Sequence, residues 1–388
     1  MPGFIAAMVA IATSFGSWGL LLPVVPVAVM DKGGTAALAG ATTGVFMTAT
    51  VLVQVITPWL LRRVSYPLVI AVSGLLMGVP ALAYELPLSA SGILLVSAIR
   101  GVGFGLMTVS ESAVIAELVP RRWLGKATGV FGAAAGLMQM LTLPVGLWIA
   151  ERAGYMPVWV MGLVIYLIGA AACIWIPRVK ASAQEIDAHA IPAPPTWKLV
   201  LVPALCLTLA AVAYSILTNF LPASIRDAGI SSSTAIGGLI LAVVNLAVMF
   251  ARYGAGVIAD KRGIPGTMMI PGQIIGAFGF AGFAIAMATN AHQAWFLVAA
   301  FFFGVSFGVV QNESLLSMFH RLPRSKIGHA SAVWNVAFDG GQAISSFFFG
   351  AIIAGVGITS SLWIATAVLV SGIVMSVADW LIGRARAA

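Results

Sequence analysis

The chain has 388 residues, 61% of them apolar and only 8% charged, with a mean hydropathy of +1.05, which excludes an ordinary soluble globular domain. A net charge of +8 could point to nucleic acid, but no basic run exceeds two consecutive residues. Basic loops on one side of a membrane give the same total, so no nucleic-acid partner is expected.

Phe4 to Met30 is long enough to cross about 30 Å of hydrocarbon and lacks both a basic leader and an AxA-like cleavage site, so it reads as a retained helix that Pro23 and Pro26 kink or end. After a loop from Asp31 to Thr35, Leu38 to Leu61 returns, Arg62 and Arg63 mark a tight turn, and Pro67 to Tyr84 crosses again. The fourth, fifth and sixth spans are Ser89 to Leu118, Ala127 to Ile149 and Pro157 to Ile176. Pro177 to Lys198 then carries Arg178, Lys180, Glu185, Asp187, His189 and prolines 192, 194 and 195, the composition of a linker outside the bilayer. Six more spans follow, at Leu199 to Leu221, Thr234 to Ala259, Thr267 to Ala288, Ala294 to Phe319, His329 to Ala354 and Leu362 to Ile382. The expectation is an all-α integral membrane protein of twelve transmembrane helices, with one six-helix bundle over 1–176, a linker over 177–198 and a second bundle over 199–388.

Basic residues fall unevenly about these spans. Only Lys32, Arg152 and Arg226 lie opposite the linker's side, Arg100 and Arg252 lie inside spans, and the remaining Lys and Arg share the linker's side. The positive-inside rule therefore puts the linker and both termini in the cytoplasm, with the protein in the cytoplasmic (inner) membrane. Cys173 and Cys206 sit in apolar spans, and the four histidines form no HExxH or Cys/His cluster. Neither metal nor cofactor is expected.

Ionisable groups at membrane depth are costly and mark function by default. Arg100, Gly103, Met107 and Glu111 form one stripe of the fourth span, with the two charges about 16 Å apart along it. Glu117, Pro120 and a basic turn (Arg121, Arg122, Lys126) follow. Polar stripes also occur at Asn335, Asp339 and Gln342, at Asn245, Met249 and Arg252, and at Thr43, Met47, Thr50 and Gln54, all of which must turn away from lipid. The GxxxG pairs 101/105, 132/136 and 304/308 read as close helix packing.

The two halves repeat. Phe15 to Pro23 matches Tyr214 to Pro222, Gly101-Val-Gly-Phe-Gly105 matches Gly304-Val-Ser-Phe-Gly308, and Pro120, Gly125, Ala127 and Gln139 fall on Pro323, Gly328, Ala330 and Gln342 at an offset of 203. Gly256-Val-Ile-Ala-Asp260-Lys-Arg-Gly263 carries a loop pattern whose first copy, Pro58 to Ser65, has Arg62 at the acidic position. With Arg100 and its trailing glycines, these features resemble the major facilitator superfamily over essentially the whole chain, and its bacterial drug and metabolite efflux branch in particular. The Gly-Pro-x-x-Gly-Gly pattern of proton antiporters keeps only Pro144 in register.

That resemblance implies a secondary transporter working by alternating access, a monomer in the bilayer that exports a small amphipathic compound against protons. Phe15, Trp18, Arg100, Met107, Tyr214, Asn219, Asn245 and Asn335 are expected to bind the substrate. Asp339, then Glu313 and Glu111, are expected to carry the proton. Asp260, Gly256, Gly263 and Arg252 would form one gate, facing Gly125 to Thr128, and Arg62 or Arg63 would find Glu117 at the other. Uptake of a small organic anion on Arg100, and a non-transporting sensor or assembly factor, are the alternatives. No nucleophile, base and orienting group can be assembled, so an enzyme is not expected. If Arg100, Glu111, Glu313 and Asp339 all reach one cavity, the excess of two negative charges favours a cationic or zwitterionic amphiphile over an anion.

Overall fold

The computed structural model describes residues 2–178, 195–221, 224–225, 228–230 and 235–387. Most of the expected linker, with Lys180, Glu185, Asp187 and His189, lies outside these residues, as do Pro222 and Arg226. Among the described residues the chain is helical and no strand occurs. The helices are α1 (Pro2–Leu21), α2 (Val24–Asp31), α3 (Ala36–Arg63), α4 (Tyr66–Gly78), α5 (Ala90–Leu118), α6 (Leu124–Ala153), α7 (Tyr155–Ala172), α8 (Thr196–Asn219), α9 (Ala235–Arg262), α10 (Met269–Ala288), α11 (Gln293–Arg321) and α12 (Ile327–Ala387).

Local chemistry explains several boundaries. Pro23 separates α1 from α2, because its ring removes a backbone donor and crowds the preceding turn. Thr35 and Ser89 cap α3 and α5 by accepting from the N–H groups of Leu38 and Gly92. Pro58, Pro144 and Pro203 are absorbed inside continuous helices. The loop expected between the last two spans shrinks to one residue: Gly357, at φ 79°, breaks α12 in a conformation that glycine adopts without steric cost. Among the described residues eleven helical stretches are long and apolar enough to cross a bilayer, and residues 327–356 form a further helical stretch before Gly357.

The polarity of α3 shows what solvates these helices. Leu52, Val55 and Ile56 are 62%, 65% and 58% exposed, whereas Thr50, Gln54 and Thr57 are fully buried. Apolar side chains outside and polar ones inside are what hydrocarbon requires.

The chain divides into two compact units. The first comprises Met1–Arg121, Ala134–Ile186 and Pro323–Asn335; the second comprises Arg122–Ala133, Asp187–Leu322 and Val336–Ala388. In the first, α5 packs against α3 and α4, and α1 against α7, around Leu20, Leu21, Phe104, Met107, Trp159 and Tyr166. In the second, α11 packs against α8, α9 and α10 around Ile216, Phe280, Phe283, Phe296 and Phe303.

The sequence repeat survives at the level of single contacts. A Cβ on Gly101 or Gly105 would lie 2.2 or 2.6 Å from the carbonyl oxygens of Phe46 and Thr50, and one on Gly304 or Gly308 would lie 2.6 or 2.5 Å from those of Val244 and Val248. Glycine is the side chain that permits both crossings.

Candidate functional site

The first unit gathers its polar and aromatic side chains around Arg100. This residue is 4% exposed, and its Nε donates to the Met77 carbonyl at 3.2 Å. Its guanidinium lies 5.6 Å from the Tyr84 ring and 5.8 Å from the Phe46 ring, within cation–π range. Tyr84 is fixed from two sides: its hydroxyl shares a 2.7 Å hydrogen bond with Ser97, and Lys32 donates to its carbonyl at 2.9 Å while pairing with Glu85 at 3.4 Å. Trp18 stacks on Phe104 at 4.9 Å, and Phe15 meets both edge-on. Trp18, Thr43, Phe46, Tyr84, Ser97 and Arg100 line a narrow cleft of about 20 Å³, room for one water-sized group.

Further along α5, Met107 is sealed in the apolar core and does not line the Arg100 cleft. Glu111, also fully buried, has the Ser14 hydroxyl beside it. Asn335 is spent on helix contacts, since its amide faces the Thr108 carbonyl at 3.3 Å, the Ser112 hydroxyl at 3.2 Å and its own Ser331 carbonyl at 2.8 Å. Ser331 also bonds Ser112 and donates to the Val109 carbonyl.

The second unit repeats the aromatic cluster without the cation. Tyr214 stacks on Phe307 at 4.7 Å and donates to Asn245 Oδ1 at 3.2 Å; Phe303 and Phe338 extend the stack. At the offset of 203, Phe303 occupies the position of Arg100. Asn219 turns back to Ser215 on its own helix. Asp339, 8% exposed, lies on α12. Glu313 Oε2 accepts from the Met268 N–H at 3.3 Å and so caps the start of α10.

Pooling four charges in one cavity therefore does not describe the Arg100 cleft. No acid lines it, Glu111 is closed into the core, and Glu313 and Asp339 belong to the other unit.

The remaining polar groups build helix crossings. Asp260 accepts from the N–H groups of Gly125 and Lys126 at 2.8 and 2.7 Å, satisfying donors that the start of α6 leaves open. Gly256 packs directly on the Gly125 backbone, and Gly263, at φ 67°, follows the end of α9. Arg252 lies across Gly132, donates to Gln311 at 2.7 Å and faces the Phe131 ring. Thr128 donates to Asn312. In the first unit Arg63 stacks on Trp59, while the charge of Arg62 acts on His329 and that of Glu117 on Tyr66. Phe46, Tyr84, Phe104 and Phe307 were not singled out from the sequence. Phe104 and Phe307 carry a signal, the repeated Phe-Gly pair, whereas Tyr84 carries none.

A profile of the Major Facilitator Superfamily matches residues 7–346. The multidrug transporter protein MdtP of Bacillus subtilis (strain 168) is 28% identical over 164 residues, 41% of this chain and 29% of that relative's length. Among solved structures, a bacterial homologue of the iron transporter ferroportin in an outward-facing state superposes with a TM-score of 0.77 at 13% identity, covering 96% of this chain and 98% of the other. The proton:xylose symporter XylE bound to 6-bromo-6-deoxy-D-glucose gives a TM-score of 0.77 at 15% identity, covering 98% and 94%.

Proposed function

The chain belongs to the major facilitator superfamily and is a multi-pass membrane transporter rather than an enzyme, and on that premise we propose that it exports a small amphipathic compound in exchange for protons. The observation that carries this reading is the pair of aromatic clusters, each with a polar handle: Phe15, Trp18 and Phe104 beside Arg100, and Tyr214, Phe307 and Phe338 beside Asn245. Ring faces take up an apolar body without demanding one shape, and the handle orients a polar end. The similarity to a protein named as a multidrug transporter supports the same class.

In this reading residues 1–176 and 199–388 are the two bundles that alternate about a midplane site. The linker and both termini face the cytoplasm, and the protein works as a monomer in the cytoplasmic membrane. Asp339 carries the proton, as an acid at membrane depth on α12 that is almost fully buried. The test is accumulation of a fluorescent amphiphile by everted vesicles on imposing a proton gradient. Accumulation that collapses with the gradient supports export; accumulation that ignores the gradient overturns proton coupling. Asp339→Asn should abolish uphill accumulation and keep substrate exchange, and persistent uphill transport in that variant would remove Asp339 from the role.

A further inference from the structure

We propose that the Arg100 cleft seats an anionic head group, so that the cargo is an amphiphile bearing a carboxylate or sulfonate on an apolar or aromatic body. This names a substrate class within the transport reading above and rests on it. Three observations carry it. Arg100 is almost fully buried, and its only hydrogen bond uses Nε; among the described residues no acceptor or carboxylate meets its terminal Nη atoms. A guanidinium withdrawn from water with those donors open is a seat for an oxyanion, which it can grip through paired hydrogen bonds. Trp18 lines the same cleft with its indole N–H buried and without an acceptor, and Thr43 adds a hydroxyl that bonds to nothing among the described residues.

The third observation is the missing counter-charge. Glu85, next to Tyr84, is occupied by Lys32 and by the Trp159 indole at 3.1 Å. Glu111 stands about three helical turns along α5, too far for an ion pair. The cleft thus offers donors and one fixed positive charge, and its volume of about 20 Å³ admits one oxygen of a head group whose remaining atoms stand at the open edge. The cargo's apolar body would lie along half-buried Leu22 and Pro26 at its edge.

The experiment is calorimetric binding of 4-phenylbutyrate and 4-phenylbutylamine, a pair differing in head-group charge, to the full chain in nonionic detergent. Wild type should bind the acid about tenfold or more tighter than the amine, the order of a charge-assisted hydrogen-bond pair. Arg100→Gln should abolish that preference, Arg100→Lys should reduce it by losing the paired geometry, and Trp18→Phe should weaken the acid a few-fold without strengthening the amine. If Arg100→Gln does not fold, the selectivity ratios of the other two variants decide. Equal binding of the two probes, tighter amine binding, or a preference unmoved by these variants would overturn the proposal. Displacement of the acid by added phosphatidylglycerol, with no flux of the acid in vesicles, would assign the seat to a lipid head group and overturn it too. Selective acid binding with no gradient-driven accumulation of any amphiphile would instead remove the export reading and leave the seat standing. Export of amphiphiles with no acid preference would do the reverse.

Discussion

The end of α9 over the start of α6, in the second unit, and the end of α3 beside the start of α12, in the first, are one crossing built twice from different residues. In the second unit the Asp260 carboxylate receives two backbone N–H groups, and Gly256 lets the chains touch at Gly125. In the first unit the corresponding position is Arg62, whose charge acts on His329 near a helix start where the dipole favours an anion. A Cβ on its glycine, Gly328, would meet Pro58 and Leu61 at ordinary contact distances of 3.7 and 3.8 Å. Compensation comes a turn deeper, where Ser112, Ser331 and Asn335 tie α5 to α12 through neutral hydrogen bonds. The second crossing is held by charge and backbone contact, the first by hydroxyls and an amide. The backbone frame repeats, and a few side chains decide how each copy is fastened.

Substituting the close glycines should sharpen this contrast most. A Cβ on Gly256 would land on the Gly125 carbonyl oxygen, which cannot yield without moving α6. Gly256→Ala is expected to cost about 3 kcal/mol, the upper end for overpacking, whereas Gly328→Ala should cost little. Thermal melting in detergent reads both, and equal effects would erase the asymmetry.

Asp260→Asn should cost about 1 kcal/mol, because one acceptor remains while charge assistance is lost. Distances between spin labels at the ends of α6 and α9 should broaden in this variant and stay fixed in Arg62→Asn. An unchanged distribution in Asp260→Asn would show that the carboxylate does not hold the crossing. The smallest effect is a gain. Arg62→Asp should stabilise the first crossing by about 0.5 kcal/mol by placing an anion at the start of α12, and salt should weaken that gain. A loss of stability would mean that the Arg62 side chain makes a contact worth more than its charge.

The helices, their order and the repeat were legible because hydrocarbon forces apolar runs of fixed length and a periodicity in the polar residues. Arg100 stood out for the same reason. The uses of the acids did not. Glu111 and Glu313 look alike in sequence, yet one is closed into a core and the other caps a helix far along the chain, and that difference depends on what α10 and α1 bring alongside. Equivalent contacts also change chemistry. Gln54 meets Thr108 where Arg252 meets Gln311, so matching residue types across the repeat misses the pairing that matching positions reveals. Tyr84 reached the cleft through a turn of Pro80–Glu85 that no spacing pattern announces.

The first unit's reliance on Pro323–Asn335 has a consequence for how the protein is made. The Thr108 and Val109 carbonyls and the Ser112 hydroxyl emerge with the fourth span, but Ser331 and Asn335, their partners, come more than two hundred residues later. At roughly 5–20 residues per second of synthesis, these groups wait about 10–40 s inside the membrane before the unit can close. During that interval α5 satisfies these groups by itself, the Ser112 hydroxyl donating to the Thr108 carbonyl of its own turn, so the early helix is stable in hydrocarbon but unfastened, and a message truncated before codon 323 would leave it without its α12 partner for the life of the product.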